Sequence, residues 1–307
     1  MEEKLERLTR ASLILRDAVR MEQIHKGFSS DQKFRVDLAN GEKCLVRVSP
    51  LSDWQRKQEE FAILKALESM GVKTSRPLEQ GTADDEGLCF MVLSYVEGED
   101  ARDQLPQLSE QQQYDIGISA GRELALMHTL RAPASLIPWK DRCMQKHLRY
   151  VQAYRSCGYS LPEDRRLLSF IDEHLSWLDH APDCFLHDDF HVGNLIVHNN
   201  RYAGAIDVNR FDWGDPVHDF TKLAFFSQEC SNAFCHGQVS AYCEQTGISP
   251  TSFWHRYSVY TAMMMFSSVV WTIRVVPNQL GEMLERIRRI LDEHDCFHRL
   301  TPRWYLS

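Results

Sequence analysis

The most informative segment of the chain, Phe185 to Pro216, reads FLHDDFHVGNLIVHNNRYAGAIDVNRFDWGDP. In this stretch Asp189 lies five residues before Asn194, and Asn194 lies thirteen residues before Asp207. Asp207 follows the short apolar run 203–206, which is where the end of a strand would carry a carboxylate. This spacing is typical of a site that holds one base and two metal ligands in a cleft.

Such a set of residues suits the transfer of a phosphoryl group from a nucleotide. That reaction needs an aligned acceptor hydroxyl, a metal ion that neutralises phosphate charge, and the exclusion of water. We predict that Asp189 accepts the hydroxyl proton, and that Asn194 and Asp207 supply the hard oxygen ligands that Mg²⁺ prefers. The alternative is that all three are capping or turn residues, the usual role of Asp and Asn.

A metal-dependent hydrolase is a second alternative for the same stretch. His187, Asp188, Asp189 and His191 lie within five residues, and such clusters bind transition metals in hydrolases. This interpretation leaves Asn194 without a role. A structural role for His187, bracing the loop that presents Asp189, is the simpler prediction.

These residues carry a family resemblance. The chain resembles the aminoglycoside phosphotransferase group of the protein-kinase-like fold, a group that also contains macrolide, choline and homoserine kinases. The segment HDDFHVGN at 187–194 is similar to the family's His-Gly-Asp-x-x-x-x-Asn loop, and Ile206-Asp207 to its metal-binding Ile-Asp-Phe. Gly214-Asp215-Pro216, followed by Asp219, resembles its Gly-Asp-Pro-x-x-Asp segment.

The resemblance implies that Asp189 is the catalytic aspartate, that Asn194 and Asp207 are the magnesium ligands, and that Asp215 and Asp219 brace the loop. Two positions depart from the family pattern. Asp188 stands where the family usually has Gly, and a second carboxylate beside the base should raise its pKa. Val208 replaces the usual Phe, which is a change in packing.

The resemblance also implies a set of nucleotide-binding residues in the first part of the chain. The segment 27–31 resembles a short phosphate-covering loop whose N–H groups cradle phosphates, with a plain turn as the alternative. The backbone of 94–96 corresponds to the hinge that meets the adenine. The complete predicted set is Gly27, Ser29, Ser30, Arg47, Glu60, Ser94, Tyr95 and Val96.

Arg47 occupies the position at which kinases place a lysine on the third strand. A guanidinium can grip phosphates with two hydrogen bonds, so the charge is kept while the geometry changes. Glu60, or its neighbour Glu59, is the expected partner from the following helix. The alternative is a surface ion pair, which contributes about 0–1 kcal/mol.

The predicted fold class is α+β, with two lobes as in protein kinases. Residues 1–97 would form the nucleotide-binding lobe and residues 98–307 a larger helical lobe that carries the catalytic and substrate-binding residues. Within the first lobe we expect a helix over 1–20, strands on either side of the Asn40-Gly41 turn, a helix over 53–70 and a buried strand over 88–96. Further helices are expected near 118–128, 164–178 and 253–276.

Composition limits the partners. The 307 residues carry a net charge of −8, from 43 acidic and 35 basic residues, which disfavours nucleic acid and anionic membranes because both need a basic face. No apolar run reaches the roughly 18 residues of a spanning helix, and the amino terminus lacks the apolar core of a signal peptide. Nine cysteines without paired spacing favour the reducing cytoplasm.

The sequence is compatible with several classes of acceptor. A cationic aminoglycoside is the leading expectation, with Asp212, Glu229 and Glu244 as carboxylates that could bind its ammonium groups. A macrolide, sugar or amino alcohol is the first alternative, and a non-catalytic nucleotide-binding protein of the same fold is another. Aromatic residues could line a pocket for a large apolar acceptor, or belong to the core: Trp213, Phe225, Phe226, Phe234, Tyr242, Phe253 and Trp254. The sequence leaves open ATP against GTP as donor, and the oligomeric state.

Overall fold

The computed structural model describes residues 8–25, 31–83, 87–179 and 181–306. Contacts within the chain divide it into two units. The first unit comprises Met1–Gly98 with Ala203–Asn209, and the second comprises Glu99–Tyr202 with Arg210–Ser307. In the described ranges, every helix is too short or too polar to cross a lipid bilayer.

The first unit is built on a five-stranded antiparallel sheet with the order β1-β2-β3-β5-β4. One long helix, α1 (Trp54–Ser69), follows the third strand. The strands are β1 (Ala18–Ile24), β2 (Gln32–Leu38), β3 (Lys43–Pro50), β4 (Pro77–Ala83) and β5 (Leu88–Ser94).

The hairpin between β2 and β3 forms where the sequence predicts it. Phe34 and Val36 alternate with polar residues and are buried, as expected for one face of a pleated strand. Gly41 has a φ of +87°, a left-handed conformation that glycine adopts without steric cost. The predicted helix over 53–70 and the buried strand over 88–96 are also confirmed, as α1 and β5.

The predicted helix over residues 1–20 is wrong at its carboxyl end, and its residues 1–7 lie outside the described residues. Residues 8–11 are helical, but β1 begins at Ala18 and pairs with β2. The carboxylate of Glu79 accepts hydrogen bonds from the amides of Leu13 (2.9 Å) and Ile14 (3.1 Å), which stops the helix there. The strand then forms because it gains a ladder of hydrogen bonds with the sheet, and this tertiary pairing overrides local helix propensity.

The second unit is mainly helical. Its helices are α2 (Ala101–Gln104), α3 (Glu110–Met127), α4 (Trp139–Arg155), α5 (Asp164–His174), α6 (Asn232–Thr246), α7 (Pro250–Val275), α8 (Leu280–Glu293) and α9 (Arg303–Leu306). Short strands interrupt them: β6 (Glu99–Asp100), β7 (Cys184–Leu186), β8 (Leu195–His198), β9 (Arg201–Ala205) and β10 (Asp212–Gly214). The strand β7 pairs with β10, and β6, β8 and β9 form a second small sheet. The predicted helices near 118–128, 164–178 and 253–276 correspond to α3, α5 and α7.

Helices α3 and α6 pack at unusually short range. A Cβ atom placed on Gly117 would lie 2.1 Å from the carbonyl oxygen of Phe234, and one on Gly121 would lie 2.3 Å from that of Gln238. Only glycine fits at these two positions. The aromatic side chains of α6 and α7 therefore belong mostly to a tight core: Phe234, Tyr242, Phe253 and Trp254 are buried, as is Phe225 before α6.

Candidate active site

The loop between β7 and β8 carries the predicted base. The strand β7 is completely buried and pairs with β10, which fixes the point at which the loop leaves the core. The carboxylate of Asp219 accepts hydrogen bonds from the backbone amides of His187 (2.8 Å) and Asp188 (2.7 Å). Asp219 thus braces the loop just before Asp189, the role that the sequence predicts for it.

Asp188 takes a backbone conformation that explains the glycine of the family pattern. Its φ is +58°, in the left-handed region where glycine is favoured and Asp is among the few other residues tolerated. Its carboxylate lies 3.3 Å from His218 Nδ1 and 3.9 Å from Lys146 Nζ. Burial raises the pKa of Asp188, but these cationic and hydrogen-bonding neighbours outweigh burial and hold it well below its usual range.

Asp189 is held by three side chains of the second unit. Its Oδ1 lies 3.4 Å from His191 Nε2 and 3.4 Å from Lys222 Nζ. Its Oδ2 accepts a hydrogen bond of 3.1 Å from Asn194 Nδ2. The side chain is 24% exposed, so the carboxylate is positioned by the protein and still open to a ligand.

The expectation that Asp188 raises the pKa of Asp189 is wrong. Burial alone would raise the pKa of Asp189, but Lys222 and His191 lower it well below its ordinary value. Asp188 has less effect because its own carboxylate is paired with His218 and Lys146. Asp189 is therefore ionised at neutral pH and can accept a proton at any pH above its own low pKa.

His191 is set in one tautomer by its neighbours. Its Nδ1 accepts a hydrogen bond from the amide of Gly193 (3.1 Å), so the proton of the neutral ring lies on Nε2, which faces Asp189. Burial lowers the pKa of His191 despite the nearby carboxylate of Asp189. His191 is therefore a neutral imidazole that directs its Nε2 proton toward Asp189.

Asn194 uses its amide nitrogen within the loop and leaves its oxygen for a ligand. Nδ2 donates to the carbonyl oxygen of Asp189 (2.9 Å) as well as to its carboxylate. Within the described ranges no donor bonds to Asn194 Oδ1. This orientation presents a hard oxygen, the kind of ligand that Mg²⁺ takes.

Two further buried groups, Asp215 and His128, are fully hydrogen-bonded within the second unit. Asp215 is fully buried and accepts hydrogen bonds from Val217 N (3.0 Å), Arg256 Nη1 (3.0 Å) and Tyr260 Oη (2.9 Å). His128 lies between Tyr242 Oη (2.9 Å) and Asp219 (3.1 Å). The structural role predicted for Asp215 is confirmed, and His128 is a fully partnered core residue.

Asp207 belongs to the first unit and follows β9. Its φ is +61°, again in the left-handed region. Both of its carboxylate oxygens lie 2.9 Å from Nζ of Lys33, which is on β2 and nearly buried. Lys33 cannot be predicted from the sequence as a site residue. It is 174 residues from Asp207, and the local pattern of β2 does not distinguish it from a surface lysine.

Arg47 is enclosed by carboxylates. Its side chain is 2% exposed, with Nε bonded to Asp31 (3.0 Å) and Nη1 bonded to Glu60. Lys57 adds a second cation, 2.7 Å from Asp31. The pairing of Arg47 with Glu60 is as the sequence predicts, but the alternative of a surface ion pair is wrong because the whole cluster is buried.

The remaining nucleotide-binding predictions fall partly within the described residues. Ser94 ends β5 and is bonded to Arg76 through its amide and its hydroxyl, both at 2.8 Å. The amide of Tyr95 lies 3.3 Å from the carbonyl of Lys43, and in the described chain the amide of Val96 has no hydrogen-bond partner. Gly27, Ser29 and Ser30 lie outside the described residues.

A model of the phosphotransferase enzyme family matches residues 20–254. The chain belongs to this family. It is therefore a phosphotransferase, of the small-molecule kinase type that the sequence predicts. No curated protein sequence matches the chain significantly.

Solved structures show the same fold for this phosphotransferase. The gentamicin complex of APH(2'')-IIa is 19% identical, covering 94% of this chain and 96% of that one, with a TM-score of 0.67. ADP-bound APH(2'')-Ib is 18% identical, covering 93% and 98%, with a TM-score of 0.66. The GDP complex of the F108L mutant of aminoglycoside 2'-phosphotransferase-IIIa is 15% identical, covering 92% and 94%, with a TM-score of 0.68. The predicted α+β, protein-kinase-like fold is confirmed.

The transition-metal cluster of the hydrolase alternative does not form in the phosphotransferase. Across the described ranges, the group of possible metal ligands is Asp188, His218 and Asp219, with ligand atoms within 4.8 Å of one another. Asp219 already accepts the two loop amides and His128, so its oxygens hold the loop. Neither His187 nor His191 joins this group.

Proposed function

We propose that this phosphotransferase transfers the γ-phosphate of a nucleotide, ATP or GTP, to a hydroxyl group of a small molecule in a Mg²⁺-dependent reaction. The observation that carries the proposal is the setting of Asp189, an ionised and partly exposed carboxylate that His191, Lys222 and Asn194 hold in place. In this proposal residues 1–97 bind the nucleotide, and residues 98–307 supply the catalytic loop and bind the acceptor.

Asp189 would act as the base. The acceptor oxygen forms a bond to the γ-phosphorus, the bond from that phosphorus to the bridging oxygen breaks, and the hydroxyl proton passes to Asp189. A carboxylate with a low pKa is a weak base, but phosphoryl transfer depends mainly on alignment and on charge stabilisation, with late proton transfer. The contacts of Asp189 serve that alignment.

The residues present fit Mg²⁺. Asn194 offers an amide oxygen and Asp207 a carboxylate, a donor set of the kind that Mg²⁺ takes together with phosphate oxygens. When bound, Mg²⁺ would neutralise charge on the phosphates of the nucleotide. Asp207 also contacts the ammonium group of Lys33, which supports a role for this carboxylate in binding a cation.

Lys33 is the cation that we assign to the nucleotide phosphates in addition to Arg47. In the register of β2 and β3, Lys33 lies directly opposite Arg47, so both side chains point to the same face of the sheet. Arg47 is committed to Asp31 and Glu60, whereas Lys33 reaches the proposed metal ligand. A buried ammonium beside that ligand would attract the negatively charged phosphate oxygens of the nucleotide.

The other proposed nucleotide contacts are backbone groups. The unpartnered amide of Val96, with Ser94 and Tyr95 before it, would meet the edge of the base. Gly27, Ser29 and Ser30 are proposed to cover the phosphates on the resemblance of their sequence alone. Successive backbone N–H groups of a short loop can form a concave site that binds anions.

An aminoglycoside is the finer proposal for the acceptor. Its support is that structural neighbours were solved with gentamicin, streptomycin and hygromycin B. The carboxylates that the sequence suggests for such a cationic ligand are partly engaged, since Asp212 lies 3.1 Å from Arg142 and Glu229 lies 3.0 Å from Arg286. Aminoglycosides should therefore be compared directly with macrolides, sugars, amino alcohols and acidic hydroxyl compounds.

The experiment is an ADP-release assay with Mg-ATP or Mg-GTP against that panel, with the phosphorylated product identified by mass spectrometry. We expect one acceptor class to stimulate release, and Asp189→Asn to reduce the rate about 10²–10⁴-fold while the affinity for nucleotide changes little. An Asp189→Asn protein with wild-type rates would refute the mechanism. Nucleotide binding without transfer to any acceptor would favour the non-catalytic alternative.

A further inference from the structure

A cavity of about 610 Å³ lies against α4 and the end of α7 in the second unit. We call it the α4–α7 cavity. Its volume is within the range of small-molecule sites, about 300–1,000 Å³. Its lining residues are Lys146, Arg149, Tyr150, Gln152, Ala153, Ser156 and Arg274.

The lining of the α4–α7 cavity is cationic, although the whole chain carries a net charge of −8. Three of its lining residues are basic and none is acidic. The excess comes largely from α4, in which Asp141 is the one acidic residue. The basic residues of α4 are Lys140, Arg142, Lys146, Arg149 and Arg155.

Among the described residues, the cations that line the cavity have few acidic partners. Lys140 and Arg142 of α4, which lie outside the lining, are by contrast paired with Asp179, Asp183 and Asp212. In the described part of the chain, Arg149 and Arg274 have no acidic partner within 4.0 Å. Lys146 approaches a single carboxylate oxygen, that of Asp188, at 3.9 Å. Asp188 is also the first cause of the raised pKa of Lys146, so its ammonium group stays charged at neutral pH. Side chains of this kind, together with the hydroxyl of Tyr150, form a site for carboxylate or phosphate oxygens.

Lys146 connects the α4–α7 cavity with the catalytic loop. Lys146 lines the cavity and contacts Asp188, and Asp188 immediately precedes the proposed base Asp189. An acceptor that placed its hydroxyl at Asp189 could therefore extend along α4 into the cavity. The successive turns of the helix place Lys146, Arg149 and Tyr150 on one face, at spacings of three and four residues.

We propose that the α4–α7 cavity binds an anionic group of the acceptor, a carboxylate or a phosphate, while Asp189 receives the proton of its hydroxyl. This inference rests on the proposed transfer of a phosphoryl group to a hydroxyl, but it replaces the aminoglycoside by an acidic hydroxyl compound as the acceptor. The ammonium groups of an aminoglycoside would be repelled by Arg149 and Arg274, which have no acidic partner among the described residues.

The test compares acceptors and charge-reversed variants. Hydroxy acids, sugar phosphates, neutral polyols and aminoglycosides are assayed for ADP release with wild type, Arg149→Glu and Arg274→Glu. The matched control is Arg155→Glu, the same change on the same helix at an exposed position outside the cavity lining. We expect hydroxy acids or sugar phosphates to be preferred, and their KM to rise at least tenfold in Arg149→Glu and Arg274→Glu. KM for ATP should stay within twofold in all three variants.

A binding measurement separates failure of this inference from failure of the proposed function. Citrate and glucose 6-phosphate, one probe for each anion, are titrated against the protein loaded with Mg-AMP-PNP, and the change in Tm is recorded. A rise in Tm that Arg149→Glu abolishes and Arg155→Glu retains supports the anion site, even if no acceptor is phosphorylated. Transfer to an aminoglycoside or neutral polyol with a KM unaffected by Arg149→Glu would overturn the inference and leave the phosphotransferase function intact. Absence of both transfer and an Arg149-dependent rise in Tm would overturn both.

Discussion

Replacing Lys33 by methionine tests which cation of the first unit binds the nucleotide phosphates. Methionine keeps the length and the apolar stem of the side chain and removes only the charge. In the structure Nζ of Lys33 lies 2.9 Å from both carboxylate oxygens of Asp207, and the Lys33 side chain is 9% exposed. Arg47, opposite it on β3, is held by Asp31 and Glu60. If Lys33 contacts the phosphates, Lys33→Met should weaken nucleotide binding more than it weakens the fold.

The expected magnitudes follow from burial. A charge-assisted hydrogen bond contributes about 2 kcal/mol, which corresponds to about a thirtyfold rise in Kd. The cost in stability should be smaller, about 1 kcal/mol, because Asp207 is 25% exposed and solvent screens the charge that is left alone. Removing Arg47 should instead lower the stability of the fold more than the affinity for nucleotide. It would leave two carboxylates buried without their guanidinium, which costs about 3–5 kcal/mol.

The assay is an equilibrium titration with a fluorescent ATP analogue at saturating Mg²⁺, with Tm measured on the same samples. Lys65→Met is the control, since Lys65 is an exposed lysine of α1 whose ammonium lies over the ring of Phe61. Arg47→Lys keeps a cation between Asp31 and Glu60 and so separates folding from binding. If the Kd of Lys33→Met stays within twofold of wild type and the Kd of Arg47→Lys rises about thirtyfold, Arg47 and not Lys33 binds the phosphates.

Three further predictions follow from single contacts. Asp207→Ala should make nucleotide binding independent of Mg²⁺ and at least about tenfold weaker, as measured by titration with and without the metal; unchanged dependence on Mg²⁺ would contradict the assignment. Gly117→Ala should lower the free energy of unfolding in urea by about 2 kcal/mol or more, since its Cβ would lie 2.1 Å from the carbonyl oxygen of Phe234, whereas Gly281→Ala, with open space around it, should not. Arg47 and Lys57 lower the pKa of Asp31 to about 2 despite its burial. The ionised Asp31 therefore contributes about 2 kcal/mol to the free energy of unfolding above about pH 4, and this contribution is lost as the pH falls toward 2. Asp31→Asn should remove that part of the acid dependence of stability, and an identical acid profile would exclude the carboxylate as its source.

The part of the fold that the sequence predicts is the part in which local pattern and tertiary structure agree. The alternation of Phe34 and Val36 before a glycine turn predicts a hairpin. The folded sheet is stabilised by this pattern because both side chains are buried on the same face. The edge strands β1 and β4 carry no such alternation. β4 contains Gly81, whose missing side chain leaves room for the ring of Phe90, and its strand conformation depends on pairing with β5. The residues of β4 contain no local pattern from which its pairing with β5 could be predicted.

The candidate site divides in the same way. The spacing of Asp189, Asn194 and Asp207 is visible in the sequence, because a loop and a strand end hold them and both are local structures. Lys33 and Lys222 are not visible, although each contacts one of these carboxylates. Their positions depend on strand register in one unit and on a turn of π-helix, Leu223–Ser227, in the other. Neither the strand register nor the π-helix turn can be predicted from the pattern of charges along the chain.

The error over Asp188 shows why adjacency in sequence is a poor guide to electrostatics. Two consecutive carboxylates suggest mutual repulsion and a raised pKa for the base. In the structure Asp188, whose φ is left-handed, has its carboxylate next to His218 and Lys146, whereas the carboxylate of Asp189 contacts His191 and Lys222. Each carboxylate therefore has its own lysine and its own histidine, and the pKa values of both lie below the ordinary range. Asp189 thus stays ionised despite the departure from glycine, and the added carboxylate of Asp188 contacts Lys146, which lines the α4–α7 cavity.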